Sequence, residues 1–234
     1  MLRSRPTARA VTVGAYDGIH LGHRAILSEL RSQAIEAGLS AAVLSFEPMP
    51  REYFAAVNPP ARLTRFREKF ELLRGLGIDE LLCPSFSAVR DMSPDVFIRD
   101  LLVGGLGVRR IVVGEDFRFA ARREGGIADL EQAAPRLDFE VTAVPAVYWG
   151  DRRISSTDIR LALRAGDLET ARGMLGRDYS MSGRVVRGLG LGRKLGFPTA
   201  NVALSRRQTP VDGIFAARVL DLPDGPLDGV ASVG

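Results

Sequence analysis

Short apolar runs alternate along the first three quarters of the chain with stretches in which apolar residues recur every three or four positions. Segments 10–14, 41–46, 80–83, 110–114 and 139–147 read as strands, 41–46 as a buried one and 80–83 as a short one. Segment 21–37 carries Ile26, Leu30 and Ala34 on one face and ends at Gly38, the pattern of an amphipathic helix. Segments 65–75, 94–102, 127–134, 157–164 and 168–175 read as further helices, with Ser93 as N-cap and Pro94 in the first turn of one of them. Strands and helices in this alternation predict an α/β fold, a Rossmann-like doubly wound parallel sheet. The pattern changes near Tyr179. Segments 182–187 and 214–220 alternate residue by residue, turn residues fill the spaces between them, and no helical period follows Leu175. The chain therefore divides into an α/β domain over 1–178 and a β-rich domain over 179–234.

Composition narrows the class. With 46% hydrophobic and 26% charged residues, the chain can build a packed core. No uncharged apolar run approaches the ~18 residues of a membrane span. The arginines of 1–10 precede no apolar stretch, so no secretory signal is expected, and Cys83, the single cysteine, fits a reducing cytoplasm. The net charge is +4, with 7 basic and 4 acidic residues after Asp178. Neither part carries a dense basic stripe, so nucleic acid is not an expected partner. The sequence leaves the oligomeric state open.

Chemistry concentrates in a few places. Both histidines of the chain, His20 and His23, sit in the run Gly14-Ala15-Tyr16-Asp17-Gly18-Ile19-His20-Leu21-Gly22-His23. This run leaves the first strand and enters the first helix, where a doubly wound sheet places its ligand and a helix N-terminus favours an anion. Gly14, Gly18 and Gly22 permit close backbone approach to a phosphate, and two imidazoles can donate to its oxygens. A zinc site is the rival, weakened because H-x-x-H lacks the glutamate of H-E-x-x-H. Ser155-Ser156-Thr157 precedes a helix: Ser156 or Thr157 reads as its N-cap, and the same terminus can take a triphosphate with Arg153 and Arg160 beside it. Asp116 and Phe117 follow the fourth strand, Asp116 as a turn carboxylate or a site group, Phe117 with Phe119 as core or as an apolar wall. Segment 188–201 holds Gly188, Gly190, Gly192 and Gly196. It opens no predicted helix and lacks G-K-[ST], so neither a dinucleotide fingerprint nor a P-loop is present.

Four ordered motifs carry a resemblance. G-x-x-D-G-x-H-x-G-H, the run Val43 to Arg51, the run Val113 to Phe119 and the run Arg153 to Arg160 together resemble bacterial FAD synthetase, the adenylyltransferase half of a bifunctional riboflavin kinase/FAD synthetase. Gly192 to Asn201 (G-R-K-L-G-F-P-T-A-N) resembles the kinase half. The resemblance implies transfer of AMP from ATP to FMN, giving FAD and pyrophosphate. It implies that Arg153, Ser156 and Thr157 hold the ATP phosphates opposite His20 and His23. It implies that Asp116 contacts nucleotide or metal, and that Phe117 lies near the isoalloxazine ring. In the kinase half, glycines including Gly192 and Gly196 would cover ATP phosphates, and Thr199 and Asn201 would hold Mg²⁺. ATP, FMN and riboflavin are the implied substrates. Three departures stand out: Met49 where the family has histidine, Ala120 where it has glycine, and Tyr16 where phenylalanine is usual. The chain stops before further strands and the catalytic glutamate of the family's kinase domain, so an incomplete β-barrel and an absent or impaired kinase activity are expected. Two alternatives stay open: another acceptor, such as pantetheine phosphate or nicotinate mononucleotide, or a non-catalytic flavin- or nucleotide-binding remnant.

Overall fold

The computed structural model describes residues 7–188, 191–194, 196–197 and 199–234. Its centre is a parallel sheet of β1 (Arg9–Val13), β2 (Ser40–Leu44), β3 (Glu80–Leu82), β4 (Val108–Gly114) and β5 (Glu140–Val144), in the order β3-β2-β1-β4-β5. Val11 pairs with Ala42 on one side and Ile111 on the other. Successive strands run outward from β1 in both directions, so the switch point lies between β1 and β4. In open α/β sheets the loops leaving the two strands diverge at such a point, and ligands bind in the crevice between them.

Helices cover both faces: α1 (Leu21–Ala37), α2 (Pro50–Phe54), α3 (Phe66–Gly75), α4 (Phe86–Val89), α5 (Pro94–Val96, continued by wider π-turns over Phe97–Gly105), α6 (Ile127–Leu137), α7 (Ser156–Arg164) and α8 (Leu168–Leu175). Alternate strand residues feed two cores. Val11, Val13, Leu44, Ile111 and Val113 pack with Phe97, Leu102 and Leu130. Ala10, Val43 and Val112 pack with Leu27, Leu30 and Ala34 of α1 and Leu73 of α3. Burial on both faces is why these strands read as continuous apolar runs. A third cluster joins α7 and α8 to Leu63 and Ile154, and takes Val211 from the end of the chain.

The strand expected over 139–147 stops at Val144, and the chain then turns into a two-residue hairpin, β6 (Tyr148–Trp149) with β7 (Arg152–Arg153). After Asp178, β8 (Arg184–Val186) pairs with β9 (Asn201–Ala203), and β10 (Gly213–Val219) with β11 (Leu227–Val233), as two separate antiparallel ribbons. Between β8 and β9, α9 (Leu191–Lys194) forms a single helical turn. That corrects the expectation of no helix after Leu175; four residues are too few for any period to register. Ile214 and Val230 remain 76% and 79% exposed, apolar surface of the kind an open ribbon leaves uncovered.

Candidate active site

The loop from β1 to α1 builds the crevice floor. Gly18 turns the chain at φ +88°, and a Cβ there would stand 2.8 Å from Leu63 Cδ1. Tyr16 and Ile19 also adopt positive φ, 48° and 42°, and both are buried, so packing holds a backbone that isoleucine disfavours. The Tyr16 hydroxyl lies 2.6 Å from Thr12 Oγ1.

His20 is the N-cap of α1: its Nδ1 accepts from the His23 backbone N–H at 3.2 Å. Its ring stacks on His23 at 3.6 Å between centroids and 15° between planes. Gly22 makes room for this, since a Cβ there would lie 3.2 Å from His20 Nδ1. Burial, only partly opposed by Asp17, pushes His20 down to about 4. Burial, His20 and Lys69 together hold His23 well below the ordinary histidine range. Both rings are therefore neutral at pH 7. Because His20 Nδ1 is an acceptor, its one proton sits on Nε2. His23 Nδ1 is buried with no hydrogen-bond partner among the described residues.

Asp17, 2% exposed, is taken up by the protein. Its carboxylate accepts from Leu63 N at 3.1 Å and Thr64 N at 2.9 Å, and pairs with Arg160. Arg160 also donates to Ala61 O and Ser156 O, so the structure turns its guanidinium toward the 61–64 loop. Asp17 and Arg160 brace the site; the free groups lie around them.

At α7 the N-cap is Ser155, which accepts from Asp158 N at 3.2 Å, not Ser156 or Thr157 as the spacing suggested. The shift of one residue releases both following hydroxyls. Ser156 Oγ donates to Asp17 O at 2.9 Å, and Thr157 Oγ1 accepts from Arg51 at 2.8 Å. The N-termini of α1 and α7 thus meet across the loop. Just before α7, Arg153 of β7 forms an ion pair at 2.7 Å with Asp116, which follows β4. Phe117 is half-buried and stacks on Phe119 at 5.5 Å.

Sequence reasoning passed over several neighbours. Phe54, 73% exposed, meets Tyr53 and Phe86 edge to face. Arg62 binds Glu47 at 2.7 Å and also pairs with Glu52. Lys69 and Arg177 reach the β1–α1 loop from below. Only the run Phe-Glu-Pro-Met-Pro-Arg signalled this region; nothing in the local pattern marks Lys69 or Arg177. Met49 is buried at the start of α2. Ala120 takes φ 65°, ψ −172°, a conformation suited to glycine.

The remaining sequence-marked residues lie apart from this crevice. Gly192 is in α9 and accepts from Phe197 N at 2.8 Å; Gly196 has φ +83°. Thr199 and Asn201 are exposed, Asn201 at the start of β9. Leu189, Gly190, Leu195 and Pro198 of that run lie outside the described residues. Among the described residues no cluster of three histidine, cysteine or acidic side chains could hold a metal, and no helix is long and apolar enough to cross a membrane.

Comparison with known proteins places the chain in a family. Residues 2–158 fit the FAD synthetase family model and residues 175–234 the riboflavin kinase model. The bifunctional riboflavin kinase/FMN adenylyltransferase of Escherichia coli K12 is 45% identical over 225 residues, 96% of this chain and 72% of that protein. Its namesake in Pseudomonas fluorescens is 41% identical over the whole chain and 75% of its own length. A crystal structure of a protein named as a macrolide-efflux protein, from Streptococcus pneumoniae, superposes with a TM-score of 0.80 at 29% identity, covering 97% of this chain and 74% of that one. The chain belongs to the FAD synthetase family, in the branch that joins FMN adenylyltransferase to riboflavin kinase.

Proposed function

We propose that this chain transfers AMP from ATP to FMN. The FMN phosphate oxygen attacks the α-phosphorus of ATP, forming the new P–O–P bond as the bond to pyrophosphate breaks. A phosphate monoester is already ionised and nucleophilic at pH 7, so no general base or covalent enzyme intermediate is required. The residues supply alignment and charge stabilisation. The observation that carries this reading is the stacked, neutral histidine pair at a helix N-terminus beside the switch point. His20 Nε2–H donates to a phosphate oxygen, and a neutral donor does so without being locked by a carboxylate. Ser156, Thr157 and the N-terminus of α7 receive the rest of the triphosphate, and Arg153 can exchange Asp116 for phosphate.

Mg²⁺ supplies charge neutralisation on ATP when bound. Magnesium keeps most of its waters and needs few protein oxygens, a demand met by the exposed carboxylate of Asp116. Phe117 and the exposed ring of Phe54 offer flat apolar surface to the isoalloxazine. In the segment after Asp178, Thr199 and Asn201 are the oxygen donors for the kinase reaction. With the strands described after Asp178 paired as two separate open ribbons, this chain is proposed to have little or no riboflavin kinase activity.

The test is incubation with ATP, Mg²⁺ and FMN, followed by chromatography. FAD and pyrophosphate in equal amounts are expected. A folded preparation that makes no FAD refutes the assignment, and product from pantetheine phosphate in place of FMN would redirect it. Riboflavin with ATP should give no more than traces of FMN; turnover at the FAD-forming rate would refute the second part.

A further inference from the structure

Two cations, Lys69 buried and Arg177 half-buried, hold carbonyls of the β1–α1 loop. Lys69 of α3 is 1% exposed. Its Nζ donates to Ala15 O at 2.7 Å and to Ser45 Oγ at 3.3 Å. Arg177, just past α8, donates to Gly18 O at 2.8 Å and to Ile19 O at 3.2 Å. Neither forms an ion pair with a carboxylate among the described residues, in contrast to Arg62, Arg153, Arg160 and Arg206.

The geometry of the peptide group turns these contacts into a statement about the opposite side of the loop. In a trans peptide, the C=O of one residue and the N–H of the next point in opposite directions. Fixing the carbonyls of Ala15, Gly18 and Ile19 on the two cations therefore aims the N–H groups of Tyr16, Ile19 and His20 away from them. Those three N–H groups have no acceptor among the described residues. The positive φ of Tyr16 and Ile19 is the backbone cost of this arrangement. Lys69 carries its charge where water screens little, with Asp17 and Glu47 near enough to offset part of it, and Arg177 adds a second positive charge against the loop.

We infer that Lys69 and Arg177 are positioning residues for the polyphosphate: by holding three loop carbonyls they set three loop amides, and their charge favours an anion above them. They touch no substrate themselves. The inference rests on the adenylyl-transfer reading of the site and adds to it the device that shapes the phosphate cradle.

The test uses the full chain and measures ATP·Mg²⁺, pyrophosphate and FMN binding by calorimetry, alongside FAD formation. Lys69→Met keeps the length of the side chain and removes the charge; Arg177→Met does the same at the second position. Each folded variant should bind ATP and pyrophosphate roughly tenfold more weakly and raise the KM for ATP to match. FMN affinity should stay within about twofold. Arg177→Lys, which restores the charge with fewer donors, should recover part of the loss. Unchanged ATP affinity in folded variants overturns the inference, as does equal weakening of ATP and FMN. If neither methionine variant folds, the cations serve the fold alone and the inference fails. Wild-type protein that binds no ATP and makes no FAD overturns the functional reading as well; wild-type activity with insensitive variants overturns only this one.

Discussion

The histidine pair shows how much one residue type can carry and where spacing alone misleads. Spacing marked His20 and His23 as phosphate donors, and a strand-to-helix loop at the switch point supports that. What the pattern could not show is that His20 also caps its helix. Its Nδ1 is occupied by the His23 amide, which leaves one defined N–H for the ligand. Nor could it show that the rings are neutral, because burial by residues distant in sequence decides that. The consequence is a pH dependence. With its folded value near 4 against about 6.5 unfolded, His20 binds fewer protons in the folded state throughout that window. Stability is therefore full above pH 6.5 and falls as the pH drops toward 4, by on the order of 3 kcal/mol for this group. Urea unfolding at pH 7.5 and pH 4.5 should show a loss in the wild type that is distinctly smaller in His20→Gln, which has no proton to gain. Equal losses in both would remove the histidine from the account. In activity, His20→Ala and His23→Ala should each lower kcat by roughly 10²-fold, the cost of losing one pre-aimed donor, in protein that remains folded.

Among the elements, those long enough to bury a face were largely legible: α1 and α8 keep their expected bounds, α3 and α7 start within one residue of theirs, while α6 runs on to Leu137 and β5 stops at Val144. The α1 and α3 patterns located their helices because one face is buried over several turns. α2, α4, α9 and the β6–β7 hairpin are too short to show a period, and tertiary contacts place them. The cap of α7 turned on one residue: three adjacent hydroxyls can each cap, and only the one whose backbone is extended does so. Ser155→Ala should cost about 1 kcal/mol in a thermal or urea melt. Ser156→Ala should leave the helix nearly intact, since its hydroxyl bonds Asp17 O instead. The loop after β4 offers the reverse case. Ala120 stands where the family has glycine and keeps glycine's backbone, with Arg122 and Arg123 also at positive φ within three residues. Ala120→Gly relieves the strain but costs entropy in the unfolded chain, so a net gain of about 1 kcal/mol is expected. A lower melting temperature would mean that the loop relaxes around the alanine.

Across the whole molecule, the segment after Asp178 rests on the part that matches FAD synthetase. Val211 enters the α7–α8 core, and Tyr179 Oη donates to Leu63 O at 3.2 Å. Ser182 donates to Glu68 through both its N–H and its hydroxyl. Arg206 is almost wholly buried, bonding Arg62 O at 2.7 Å and Glu68 at 2.6 Å. Burial alone would raise the Glu68 carboxyl; bonds from Arg65 N and Ser182, with the charge of Arg206, hold it below the usual carboxylate range. Removing one member of such a pair leaves the other charge buried, and typically costs ~3–5 kcal/mol. For Arg206→Met the loss should fall toward the lower end, because Glu68 retains its bonds from Arg65 and Ser182. Glu68→Gln combined with Arg206→Met removes both charges and should restore part of the stability lost by Arg206→Met alone; additive losses would show that the two side chains act independently. The same contacts reach the β1–α1 loop through 62–64, where Leu63 and Thr64 donate to Asp17 and Thr64 accepts from Gly18 N. Arg206→Met should therefore also weaken ATP binding, by a smaller factor than Lys69→Met, although Arg206 lies in the part that matches the kinase. A stability loss with ATP affinity unchanged would confine Arg206 to holding the two parts together.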